Sequence, residues 1–188
     1  MKCKGEFLMV LVLEQRDKVL VEETLRILGE QDPLACYQCN KCTSGCPIAL
    51  VRQDFRPHLI VQQTRMGLKD VLIKEEAIWY CCQCLKCVAR CPQKVAPYEV
   101  IFALRILAAE AGYSPKNITK LLQSFWNNGM VTTPMIIVTK DFAEVTRQTL
   151  GLPAPVVDTE GLRKALKTTK LPTIIENLKK RKKVSKKD

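Results

Sequence analysis

The sequence predicts an all-α protein in which two cysteine-rich loops sit among helices and a helical extension follows them. Three observations lead there. Apolar residues recur at spacings of three and four through most of the chain, the period of one helix face. Prolines open these stretches and glycines close them, the asymmetry that helix ends select. No Gly-rich phosphate loop, dinucleotide fingerprint or GxSxG elbow breaks the pattern.

Taken in chain order, Val10 to Leu28 is periodic and Gly29 supplies a stop. Asp54 to Met66 carries Pro57 near its start and Gly67 just past its end. Ala96 to Ala111 places Val100, Ile101, Leu104, Leu107 and Ala108 on one face before Gly112. Ser114 reads as an N-cap with Pro115 at the first helical position; Leu121, Leu122 and Phe125 follow at helical spacing before Gly129. Asp141 to Leu150 and Asp158 to Thr168 read as two more helices. Val131 to Thr139 is rich in β-branched residues and predicts a short extended segment, which Pro134 weakens. The organisation expected is a segment and helix over 1–29, a cysteine-bearing domain over 30–112, a cysteine-free helical region over 113–178 and a basic tail over 179–188.

Composition narrows the function classes. The longest apolar run, Phe7 to Leu13, is far shorter than the roughly 20 residues of a membrane-spanning helix. Lys2 and Lys4 before that run imitate a secretory signal, but no small-residue cleavage site follows and Glu14 to Asp17 is densely polar. Ten cysteines without a signal peptide predict a reducing, cytoplasmic setting in which thiols serve metals or redox chemistry. The net charge of +11 is concentrated in Lys179 to Asp188, which reads as a solvated, mobile arm.

The chemistry lies in CYQCNKCTSGCP, residues 36 to 47, and CCQCLKCVARCP, residues 81 to 92. Both fit C-x2-C-x2-C-x3-C-P, as Cys36, Cys39, Cys42, Cys46 and as Cys81, Cys84, Cys87, Cys91, with Cys82 outside the template. Gln38 and Gln83 precede the second cysteine of each run, and Lys41 and Lys86 the third. This is the bacterial run for a [4Fe–4S] cluster, whose fourth cysteine serves the other cluster. Three cysteines spaced by two wrap over three corners of a cube, and the turn into Cys-Pro swings the fourth away. The expected ligands are Cys36, Cys39, Cys42 and Cys91 for one cluster, and Cys81, Cys84, Cys87 and Cys46 for the other. A zinc site built from four cysteines uses two separated C-x2-C pairs instead.

The remaining candidates have quieter readings. Cys82 is expected to be a small buried hydrophobe, its alternative being contact with the second cluster or substitution for Cys81. Cys3 is incidental. His58, the single histidine, reads as a satisfied surface or interface residue. Trp79 and Tyr80 precede the second run and would shield a cluster from water.

The two runs, the 34 residues between Cys46 and Cys81, AIWYCCQCLKCVARCP and the following helix with Leu104-Arg105 resemble the C subunit of heterodisulfide reductase. The resemblance covers residues 30–112 and implies an α-helical ferredoxin fold. It implies an electron relay from a flavin- and cluster-bearing A subunit to a catalytic B subunit that reduces the CoM-S-S-CoB disulfide. A hydrogenase or formate dehydrogenase would be a further neighbour in a larger complex. The B subunit is marked by CCG motifs, and here Cys81-Cys82 is followed by Gln83, so catalysis would belong to the partner. Two readings stand beside it: a relay in a related heterodisulfide-reductase-like or quinone-linked complex, and a basic nucleic-acid binder. The second rests only on the lysine tail, which lacks interleaved aromatics.

Overall fold

A computed structural model describes residues 17–29, 31–131, 137–138, 140–141, 144–153 and 155–184. Cys3 and the Phe7 to Leu13 segment lie outside them, as does the first part of the helix expected from Val10. The chain divides into two compact units, Met1–Tyr113 and Ser114–Asp188.

The first unit is built on α1 (Lys18–Leu28), α4 (Pro57–Arg65), α5 (Lys69–Lys74) and α7 (Pro97–Glu110). Asp17 caps α1, its Oδ1 accepting from the N–H groups of Val19 at 2.9 Å and Leu20 at 3.2 Å. Its own N–H donates to the Gly67 carbonyl at 2.8 Å, fixing α1 to the turn that ends α4. Gly67 has φ +69°, and a Cβ there would meet the Asp17 carbonyl at 2.6 Å, so only glycine fits this junction. Pro57 and Pro97 open α4 and α7, where their fixed φ and missing N–H cost nothing.

α7 is the central helix, with α1, α4 and α5 packed against it. Val100, Ala103, Leu104 and Ala108 on α7 are fully enclosed, as are Leu20, Phe55 and Val61 around it. Burying each large apolar side chain contributes about 1.5–3 kcal/mol, so this layer holds the platform that carries the cysteine loops. Thr24 and Thr64 are buried too, and each hydroxyl donates to the carbonyl four residues back, at 2.7 and 2.8 Å.

In the second unit α8 (Lys116–Asn128) ends at Gly129, whose N–H donates to the Phe125 carbonyl at 2.8 Å. Both α9 (Thr159–Leu166) and α10 (Leu171–Val184) pack on α8. Arg163 on α9 donates to the Trp126 and Asn127 carbonyls at 3.0 and 3.1 Å, placing a cation on the C-terminus of α8.

Three expectations change here. Asp141 to Leu150 is not a helix: β2 (Glu144–Val145) pairs antiparallel with β1 (Ile137–Val138), and a turn follows. Thr146 and Thr149 exchange hydrogen bonds between hydroxyl and backbone N–H at 2.8 and 3.2 Å, satisfying the backbone locally in place of helical bonds. The extended segment expected over 131–139 includes β1. Ser114 is not an N-cap: Pro115 is extended with ψ 147°, and the Ser114 hydroxyl donates to the Pro115 carbonyl at 3.3 Å. The basic tail is helical at its start, since α10 runs on to Val184. Lysine and arginine are good helix formers and suit the negative end of the helix dipole.

Candidate metal centres

Each cysteine run folds into the same local shape. Gln38 and Asn40 in the first run have φ 62° and 63°, and Gln83 and Leu85 at the matching places have 58° and 59°. Alternating left-handed residues turn successive N–H groups toward one side, a concavity suited to anions such as thiolates and sulfides. Non-glycine residues pay on the order of 1–2 kcal/mol for this conformation, so its repetition at four such positions marks a built site. One helical turn follows each loop, α2 (Lys41–Ser44) and α6 (Lys86–Ala89), and the two turns pack together.

Cys46 ends the first run, yet it lines a cavity with Cys81, Cys84 and Cys87 of the second. Apolar walls come from Ile48, Phe55 and Ile101, and the enclosed and open space together is about 330 Å³. The Tyr37 phenol of the first run is pushed up by loss of water, then by Cys39 and by the charges of Cys91 and Cys36. Cys42 is buried within the field of Cys36. Burial pushes the Cys42 and Cys81 thiols up and takes Cys87 to about 11. Thiols so enclosed repel one another as thiolates unless cations neutralise them, which is what iron supplies. Among the described residues no three His, Cys, Asp or Glu side chains are grouped closely enough to hold a single metal ion. Cys46 and the cysteines of the second run ring a space, and a soft, all-thiol donor set beside apolar walls fits an iron–sulfur cube.

The sulfurs are tuned by donors. Gln38 Nε2 donates to Cys36 Sγ and the Val95 N–H to Cys91 Sγ, both at 3.3 Å. The backbone of Tyr98, at the start of α7, draws the Cys87 thiol down, against the larger upward push of burial. His58 is taken by Thr43: its N–H donates to Thr43 Oγ1 at 3.2 Å, and that hydroxyl lies 2.7 Å from Nδ1. Hydroxyl and imidazole satisfy one another, the satisfied interface role expected of this residue. Cys82 departs from expectation. It is exposed and lines the same cavity as Cys81 and Cys84, because it sits in an extended loop with no helix over it.

Two residues escaped the sequence reading. Arg65 Nη1 donates to the Cys36 carbonyl at 2.7 Å, and Arg105 Nη2 to the Cys81 carbonyl at 2.8 Å. Each guanidinium thus holds the first cysteine of one run. The signal was present: Arg65 stands eight places after Pro57 and Arg105 eight after Pro97, so the repeat extends from the loops into α4 and α7. Trp79 and Tyr80 are half-buried and each is faced by a guanidinium, Arg105 at 5.6 Å and Arg52 at 4.1 Å.

Comparison with known families matches residues 33–95 to the 4Fe-4S dicluster domain. A protein of Archaeoglobus profundus described as similar to the heterodisulfide reductase C subunit is 32% identical over 158 residues, 80% of each chain. This chain belongs to the heterodisulfide reductase C-subunit family. The iron–sulfur C subunit of the CoB–CoM heterodisulfide reductase of Methanopyrus kandleri is 36% identical over 56% of this chain and 62% of its own length. Its counterpart in Methanocaldococcus jannaschii, the second C subunit of that enzyme, is 37% identical over 55% and 58% respectively. As a heterodisulfide reductase C subunit, the chain is an iron–sulfur electron-transfer protein with two [4Fe–4S] clusters, and its family works in complexes with other subunits. No helix among the described residues is long and apolar enough to cross a membrane.

Proposed function

We propose that this chain is the relay of a cytoplasmic heterodisulfide reductase, receiving electrons from a flavin- and cluster-bearing A subunit and passing them to a catalytic B subunit. Cys36, Cys39, Cys42 and Cys91 hold one cluster, and Cys81, Cys84, Cys87 and Cys46 the other. The observation that carries this reading is Cys46, the last cysteine of the first run, on the cavity wall with three cysteines of the second. When bound, each cluster supplies a one-electron carrier. The chain's own residues orient and insulate. The left-handed loops aim backbone N–H groups inward, Gln38 and Val95 donate to sulfurs, and Ile48, Phe55 and Ile101 exclude water.

No residue here is proposed to cleave a disulfide. The sequence has no CCG motif, so reduction of CoM-S-S-CoB is assigned to the B subunit, and the isolated chain is inactive. A hydrogenase or formate dehydrogenase as the ultimate donor fits the same arrangement. The Archaeoglobus relative, aligned over 80% of this chain and described only as similar to the C subunit, supports a second reading as the relay of a related heterodisulfide-reductase-like complex.

The test is anaerobic purification of the complex followed by iron and sulfide analysis and a disulfide-reduction assay. CoM-S-S-CoB should be reduced only when the B subunit is present. The ligand sets predict that Cys46→Ser alters the cluster of the second run and Cys91→Ser that of the first. The reverse assignment, or zinc without sulfide, refutes them.

A further inference from the structure

Arg105 lies on α7 and uses both arms of its fork. Nε donates to the Ile78 carbonyl at 2.9 Å, Nη2 donates to the Cys81 carbonyl at 2.8 Å, and the guanidinium faces Trp79. It is half-buried, and its hydrogen bonds among the described residues go to neutral carbonyls and none to a carboxylate. A cation held there keeps its full charge beside the first ligand of the second run. Arg65 is its counterpart in the repeat, with a single bond to Cys36. Reduction adds one electron and one negative charge to a cluster, and fixed neighbouring charge and hydrogen bonding set the potential at which this occurs.

We propose that Arg105 is a positioning residue that clamps Cys81 and raises the reduction potential of the cluster bound by the second run. This rests on the ligand sets given under Proposed function. The guanidinium stays protonated throughout; it neither gains the electron nor gives a proton. Lysine could keep the charge but not the planar fork that spans two carbonyls. Arg65 acts on the other cluster in the same way through Cys36.

The experiment uses the full chain, purified anaerobically, with iron and sulfide counted and both clusters titrated with dithionite against mediator dyes. Arg105→Gln should keep the iron and lower one midpoint. At the wild-type midpoint its ratio of reduced to oxidised cluster should fall about tenfold, a shift of about 59 mV for one electron. Arg65→Gln should move the other midpoint. Should Arg105→Gln lose iron, Arg105→Lys decides, because it keeps the charge and loses the fork: it should hold both clusters with the midpoint close to wild type. Two intact clusters with unmoved midpoints in Arg105→Gln, or a midpoint lowered by about 59 mV in an Arg105→Lys chain that keeps its iron, overturn the proposal alone. A wild-type chain without sulfide overturns the ligand sets, and this proposal with them.

Discussion

The two cysteine runs share one template, one loop shape and one arginine each at the first cysteine, yet other supporting positions differ. The first loop places Asn40 in its second left-handed position, a residue that tolerates this region; the second places Leu85 there, half-exposed and strained. Thr43 ties the first loop to α4 through His58, whereas Val88, with no hydroxyl, stands at the matching place and the second loop is held to α7 by Arg105 at the Cys81 carbonyl. After Cys46 the chain enters α3 (Pro47–Val51) at once. After Cys91 it passes through left-handed Lys94 and Ala96 before α7 begins. The cysteine spacing therefore dictates a loop, and the neighbouring helix dictates how that loop is braced.

Breaking the comparison at the cysteines should have the largest effect. Cys81→Ala should lose one cluster, roughly half of the iron and sulfide, whereas Cys82→Ala should keep both, measured by iron and sulfide analysis. Thr43→Val makes the first run resemble the second. It should cost about 1–2 kcal/mol in chemical unfolding, since the His58 N–H and Nδ1 both lose their partner; Val88→Thr should gain nothing. The same bracing has a pH signature. Burial first, and then Arg56, hold the folded imidazole below its ordinary 6.5. The unfolded chain therefore binds more protons as pH falls past about 6.5. Stability should decline there in wild type and stay level in His58→Gln. Exchanging the left-handed residues is smaller: Asn40→Leu should destabilise by about 1 kcal/mol and Leu85→Asn stabilise by a similar amount. Smallest is Gly45→Ala. A Cβ there first meets the side chain of Arg90, which is exposed and can swing away, so a change under about 0.5 kcal/mol is expected in thermal unfolding.

Much of the helical frame could be read from local signals. Pro57 and Gly67 bracket α4, α7 lies within Ala96 to Ala111, and Gly129 closes α8. Each signal acts within a turn or two of chain, where proline geometry and glycine's freedom leave few choices. The errors came where side chains competed with the helix. Thr146 and Thr149 satisfy their own backbone, and Pro115 stands extended before α8. Cys82 was misread because burial depends on what packs over a loop, and its composition says nothing of that.

By itself the sequence determined which atoms can serve as ligands and what loop carries them. Thiol chemistry and the spacing of cysteines around Gln38 and Gln83 are properties of a dozen consecutive residues. Tertiary structure decided that Cys46 faces the cavity of the later run and that Arg65 and Arg105 reach carbonyls 29 and 24 residues away. Those placements, and the desolvation that gives a buried cation its force, arise only when distant segments pack together.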